Sequence, residues 1–245
     1  MADGLRFHTS RGLIPALDLE DVQEALRIVA ATTKIPGIAG YKIGLALSLR
    51  LGLAGAVRVI RQETDLPLLY DHQKAGPDIP DTAGLLAEIA AQAGVDALIL
   101  FPLSGLRAVD RYAAESARRG VTPIVGGELP MKECRQRYGG FIVNDALKRI
   151  TAAALSAGVR HFVLPAGDPR RLAGHLAHLR SLTDRVSLFL PGIGAMGGTI
   201  GKSFVLVGDW PAYAIVGRAV VRAADPAEAA RRLAAEALEA YGIRH

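Results

Sequence analysis

The sequence predicts an α/β fold, a (βα)8 TIM barrel in which residues 1–245 form one domain. Three observations predict it. Short apolar or β-branched runs recur eight times along the chain. Amphipathic helical patterns separate them, as expected for a parallel sheet with helices outside. The turn after the first run reads ALDLEDVQ, without the glycine-rich phosphate loop that a doubly wound sheet places there. Eight such units in 245 residues are the count and length of a barrel.

The runs are read in order. The first, 13–18 (LIPALD), precedes DVQEALRIVAA, whose apolar residues fall at helical spacing. The second is 39–44 (AGYKIG). The third, 66–71 (LPLLYD), passes through a charged turn into DTAGLLAEIAAQAG. The fourth, 95–101 (VDALILF), and the fifth, 121–126 (VTPIVG), are nearly continuous in apolar residues, which suits strands covered on both faces. The sixth is 160–165 (RHFVLP), the seventh 186–190 (VSLFL) and the eighth 213–217 (YAIVG). The last helix carries its own punctuation: Asp225 as N-cap, Pro226 at the first position, Glu228 at the third and Gly242 after the end.

Half of the residues are hydrophobic, enough for a full core. A single cysteine, Cys134, excludes an internal disulfide framework and points to a reducing cytoplasm. Cys134 itself reads as a small loop or helix residue. The opening MADGLRFHTSRG has no apolar core of a signal peptide, and no run is long enough to span a membrane. The net charge of +5 is spread over helix faces such as AARRLAAEALEAYG. That argues against nucleic acid and suits an enzyme with anionic, phosphorylated substrates.

In a barrel, chemistry sits where strands end, at the C-terminal face. Asp18 ends the first strand and Lys42 lies on the second. Asp71 ends the third, followed by His72 and Lys74, and Gly217-Arg218 ends the eighth. One such charge is usually a solvated loop residue. Four strand ends converging on one mouth are a site. The loops after strands seven and eight, where barrels often bind phosphate, read PGIGAMGGTIG and VGR. They supply Pro191, Gly192, Gly194, Gly197 and Gly198, then Gly217 and Arg218. Glycines let backbone N–H groups approach an anion, and the guanidinium can grip it bidentately. GGTIGKS is a near miss for a P-loop, because Met196 stands where the first glycine belongs. His72 has no histidine partners at other strand ends for a metal site and reads as a hydrogen-bonding neighbour of the site.

These residues resemble the orotidine 5'-phosphate decarboxylase family, in a divergent, archaeal-like form. The resemblance rests on Ala16-Leu17-Asp18, Lys42-Ile43-Gly44, Asp71 and Lys74 with Asp78-Ile79-Pro80-Asp81-Thr82, Pro191-Gly192-Ile193-Gly194, and Val216-Gly217-Arg218 before Ala223-Ala224-Asp225-Pro226. It implies an alternating array of Lys42, Asp71, Lys74 and Asp78. Lys74 would protonate C6 of the pyrimidine once CO2 leaves, and Asp71 would lie beside the departing carboxylate. Asp18 would hold a ribose hydroxyl and Ile79 would contact substrate. Asp78 and Thr82 would reach into the neighbouring subunit of a homodimer. Neither metal nor cofactor would be needed. The physics agrees: a fixed ammonium offers charge stabilisation and a proton to a developing carbanion. Interleaved aspartates keep neighbouring lysines charged, each pair at about 4 Å interacting by about 4 kcal/mol at an effective dielectric near 20.

The chain departs from the family pattern at three places. The usual Asp-x-Lys-x-x-Asp is one residue longer in each gap, so a bulge or early turn near Gly76-Pro77 must return Lys74 to the face of Asp71. Met196 replaces the usual phosphate-loop glutamine. The loop GGELPMKEC has no clear match to the serine that meets the pyrimidine. Two other functions stay open. A magnesium-dependent sugar-phosphate decarboxylase or aldolase, like hexulose-phosphate synthase, shares the signature but has a metal-binding glutamate where Lys42 stands. A catalytically inactive phosphate-ligand binding protein would explain the altered spacing.

Overall fold

The computed structural model describes residues 5, 7–73, 79–129, 131–194 and 198–242. Eight parallel strands close in the order of the sequence: β1 (Arg11–Leu17), β2 (Tyr41–Ile43), β3 (Leu68–Asp71), β4 (Ala97–Leu100), β5 (Thr122–Val125), β6 (His161–Val163), β7 (Ser187–Leu190) and β8 (Ala212–Val216). β8 returns to β1 with Arg11 opposite Ala212 and Pro15 opposite Val216, which closes the barrel. Each predicted run holds one strand; β1 starts two residues before its run and β8 one residue before, each ending one residue early, and the other six are shortened.

Helices alternate with the strands: α1 (Val22–Thr32), α2 (Leu45–Leu51), α3 (Leu53–Ile60), α4 (Ala83–Ala93), α5 (Leu106–Arg118), α6 (Ala146–Ser156), α7 (Pro169–Arg180), α8 (Ile200–Val207), α9 (Arg218–Val221) and α10 (Pro226–Gly242). Three of them, α1, α7 and α10, start on an aspartate whose side chain satisfies a free N–H group. Asp21 accepts from Gln23 N at 2.8 Å, and Asp168 from Arg170 N at 2.9 Å, just before Pro169. Asp225 accepts from Glu228 N at 3.0 Å, as its N-cap position predicts. α10 runs through Gly242 rather than stopping before it. Gly52, at φ 66°, separates α2 from α3. Among the described residues, no helix is long and apolar enough to cross a membrane.

Strand side chains alternate between the barrel interior and the helix layer. The interior set includes Ile14, Ala16, Leu69, Ile99, Ile124, Val163, Phe189 and Ile215, all buried. At the N-terminal end Phe7 closes the floor, with its ring centroid 4.1 Å from that of Tyr213. Lys42 lies opposite Ala16 on one side and Leu69 on the other. Asp18 and Asp71 follow those two inward residues by two positions, so the same alternation turns all three charges inward at the C-terminal mouth.

Candidate active site

Lys42 and Asp71 are among the few buried charged residues, at 3% and 1% exposure. Lys42 Nζ donates to Asp71 Oδ2 at 2.8 Å and to Asp18 Oδ1 at 2.9 Å. Burial works against this ammonium, yet the carboxylates of Asp71 and Asp18 outweigh it and raise its pKa above the ordinary lysine value. The lysine therefore stays charged and ties β1, β2 and β3 together. Asp18, more open to solvent, presents the rest of its carboxylate to the mouth.

Two residues that sequence reasoning missed complete this corner. Gln73 Nε2 donates to Asp71 Oδ2 at 2.9 Å, and its backbone N lies 3.3 Å from Oδ1. The chain thus turns back on Asp71 directly after β3, within the gap that is longer than the family pattern. Gly44 faces inward beside Asp18, and a Cβ there would overlap Asp18 Oδ1. His72 lies 3.3 Å from the Tyr70 hydroxyl. Burial, and then the charge of Asp71, raise the pKa of that phenol.

The glycine loops meet across the mouth. Gly192 and Gly194 take φ of 93° and 81°, which a side chain would strain. Gly194 N donates to Gly198 O at 2.9 Å, which folds the loop after β7 on itself. A Cβ at Gly194 would stand 3.1 Å from Ala219 Cβ, so this loop lies against α9. Arg218 opens α9 directly after Gly217. It is exposed and makes no ion pair with another described residue. Pro191 O, by contrast, is engaged by Ala166 N at 2.8 Å. A Cβ at Gly217 would stand 3.9 Å from Asp18 Oδ2, so the exposed Arg218 opens α9 directly after a residue that packs beside Asp18.

The model of the orotidine 5'-phosphate decarboxylase / HUMPS family matches residues 11–233. The chain belongs to this family. Orotidine 5'-phosphate decarboxylase of Methanosarcina barkeri is 30% identical over 91% of this chain and 93% of its own. The enzyme of the same name from Thermococcus kodakarensis is 31% identical over 93% of this chain and 97% of its own. Among solved structures, orotidine 5'-phosphate decarboxylase from Pyrococcus horikoshii superposes with a TM-score of 0.74 at 25% identity, covering 92% of this chain and 99% of that one. The fold is also shared with orotidine 5'-monophosphate decarboxylase from Methanocaldococcus jannaschii complexed with inhibitor BMP, at a TM-score of 0.79 and 24% identity over 92% and 98% of the two chains.

Of the residues that the decarboxylase family pattern singles out, Asp18, Lys42 and Asp71 meet at one point. Gly192, Gly194, Gly198, Gly217 and Arg218 meet at another part of the same mouth. Lys74, Asp78 and Gly197 lie outside the described residues, as do Gly76-Pro77 and Met196. Ile79 is 60% exposed. Thr82 Oγ1 donates to Ile79 O at 2.8 Å and lies 3.0 Å from the Tyr112 hydroxyl, at the entrance to α4. The loop after β5 contains two short 3-10 turns, Lys132–Cys134 and Gln136–Tyr138. Cys134 ends the first of them.

Proposed function

We propose that this protein decarboxylates orotidine 5'-phosphate to uridine 5'-phosphate, a reaction of pyrimidine biosynthesis, without a metal or cofactor. One observation carries the reading: Lys42 is bracketed by Asp18 and Asp71 at 2.9 and 2.8 Å. The magnesium-dependent branch that the sequence also resembles has a metal-binding glutamate at this position. Family membership and relatives named orotidine 5'-phosphate decarboxylase support the same choice.

The chemistry follows from charge placement. The bond from C6 to the carboxylate carbon breaks, CO2 leaves, and the electron pair stays on C6. The ammonium of Lys74 gives C6 its proton and is later reprotonated from solvent. Asp71 lies beside the departing carboxylate, oriented by hydrogen bonds from Lys42 and Gln73. Asp18 accepts from a ribose hydroxyl. Backbone N–H groups of the loop after β7 and the guanidinium of Arg218 hold the phosphate.

The working unit in this reading is a homodimer in the cytoplasm, with Asp78 and Thr82 serving the neighbour's pocket. Support comes from the side of the barrel that carries Thr82, where Ile79, Leu85, Ile89 and Leu106 are exposed at 60, 64, 46 and 64%. An apolar surface of this kind fits a second copy of the chain.

The test is direct. Orotidine 5'-phosphate is added and pyrimidine absorbance is followed with and without chelator. Absorbance should fall equally in both. Loss of activity with chelator and recovery with magnesium would move the reading to the sugar-phosphate branch. Tight nucleotide binding without CO2 release would establish an inactive binding protein.

A further inference from the structure

The loop after β5 leaves the barrel along a path that side chains dictate. A Cβ at Gly126 would overlap the ring of Phe101, and one at Gly127 would stand 2.6 Å from Ile150 Cδ1. The next residue, Glu128, extends to α7. Its Oε1 lies 2.6 Å from Arg171 Nη2, and its Oε2 lies 3.2 Å from His175 Nε2. The Glu128 side chain is only 7% exposed. Leu129, one residue on, packs against the cluster that fills the barrel interior.

A buried ion pair is a poor stabiliser, because desolvation offsets much of its attraction. What this one fixes is direction. Arg171 and His175 stand one turn apart on the same helix face, so each takes one carboxylate oxygen. Arg171 is itself set by the cap of α7, where Asp168 Oδ1 accepts its backbone N at 3.3 Å. With Glu128 clamped at both oxygens, the adjoining Leu129 is committed to the barrel. The strand ends β1 to β3 carry the charges and β7 to β8 the glycine loops, which leaves β4 to β6 for the base, and the family resemblance sets the loop after β5 against the pyrimidine.

We propose that Glu128 is a positioning residue: clamped by Arg171 and His175, it holds Leu129 over the mouth as an apolar wall for the pyrimidine base. The proposal rests on the decarboxylase reading above.

The test compares uridine 5'-phosphate with ribose 5-phosphate, which lacks the base, as competitive inhibitors of turnover. Glu128→Gln keeps the shape and removes the charge. It should weaken uridine 5'-phosphate about tenfold, equal to ~1.4 kcal/mol, and leave ribose 5-phosphate unchanged. Leu129→Ala should do the same. The double variant should be little worse than either single one, because both act through one contact. His175→Gln provides a milder break of the clamp if Glu128→Gln folds poorly, with the same selective loss expected. Equal weakening of both inhibitors, unchanged binding of uridine 5'-phosphate, or additive effects would each overturn the clamp's role. A wild-type protein without turnover overturns the decarboxylase reading and the clamp's role with it. Normal wild-type turnover with variants like wild type overturns the clamp alone.

Discussion

The Asp18 carboxylate lies against the backbone of Gly44, in the space that a side chain at position 44 would need. Gly44 takes an ordinary extended conformation, φ −88° and ψ 175°. Its lack of a side chain therefore serves packing rather than backbone strain. Gly44→Ala should push Asp18 from Lys42 and from the ribose hydroxyl it is proposed to hold. A charged hydrogen bond is worth about 1.5–3 kcal/mol, so kcat/KM should fall roughly 10- to 150-fold. Steady-state kinetics checks this. A change under twofold would mean that Asp18 moves aside without cost.

Lys42 is the only cation within the buried part of the described charge cluster, and Asp71 is almost fully buried beside it. Lys42→Ala leaves that carboxylate without its ammonium, a loss of about 3–5 kcal/mol in buried pairs, and should abolish turnover. The folded pKa of Lys42 is raised, so its contribution is complete below about 10.5 and is lost only as pH rises through the higher folded value. Urea unfolding at pH 7 thus reads the whole effect. Unchanged stability there would show that Asp71 is content without Lys42.

Strands and their ends were legible because period and punctuation are local signals. Asp18, Lys42 and Asp71 could be placed at the mouth from their positions along the runs, since Asp18 and Asp71 end apolar runs and Lys42 lies within one, and in a barrel strand ends meet at the C-terminal face. What stayed hidden depends on distant partners. Gly44 looks like part of a short motif until Asp18 is folded onto it. Glu128 lies 43 and 47 positions from the two residues that hold it, and nothing local marks it. Gln73 sits inside the lengthened gap, and its contact with Asp71 depends on how the chain turns after β3, which spacing does not encode. His161 opens β6, at the end of the barrel opposite the charged mouth, and its burial depends on neighbours distant in the chain.

That histidine predicts an acid limit. His161 Nδ1 is buried with no hydrogen-bond partner among the described residues, and burial pushes its pKa down to about 4. In the unfolded chain the value is about 6.5. The unfolded state therefore binds the proton first, and stability is lost as pH falls from about 6.5 to about 4. The loss is on the order of 3 kcal/mol. His161→Phe, beside Phe189, should remove this slope. Urea midpoints at pH 7.5 and 4.5 decide it, and parallel losses in the two proteins would exclude His161 as the cause.

Arg218 stands exposed at the start of α9, next to the glycine loop after β7. Arg218→Ala should lower kcat/KM roughly 10- to 150-fold for the phosphorylated substrate, from the loss of a charged hydrogen bond of about 1.5–3 kcal/mol. Adding guanidinium ion at low concentration should restore part of that loss. A variant with normal kcat/KM would assign the phosphate to other groups.

Ownership of the pocket gives the sharpest prediction. In the proposed dimer Lys74 works in its own pocket and Asp78 in the neighbour's. Lys74→Ala and Asp78→Asn should each be nearly inactive alone. Lys74→Ala should still bind uridine 5'-phosphate, because a proton donor to the carbanion matters most in the transition state. Mixed in equal amounts by unfolding and refolding, the two inactive proteins should regain activity. In a mixed dimer one pocket collects both substitutions and the other collects neither. Random pairing makes about half of the dimers mixed, so about a quarter of all pockets should be intact. If both residues serve the same subunit's pocket, every pocket carries one lesion and mixing restores nothing. A flat mixing curve, with subunit exchange demonstrated by a size tag on one variant, would therefore refute the shared site while leaving the decarboxylase chemistry standing.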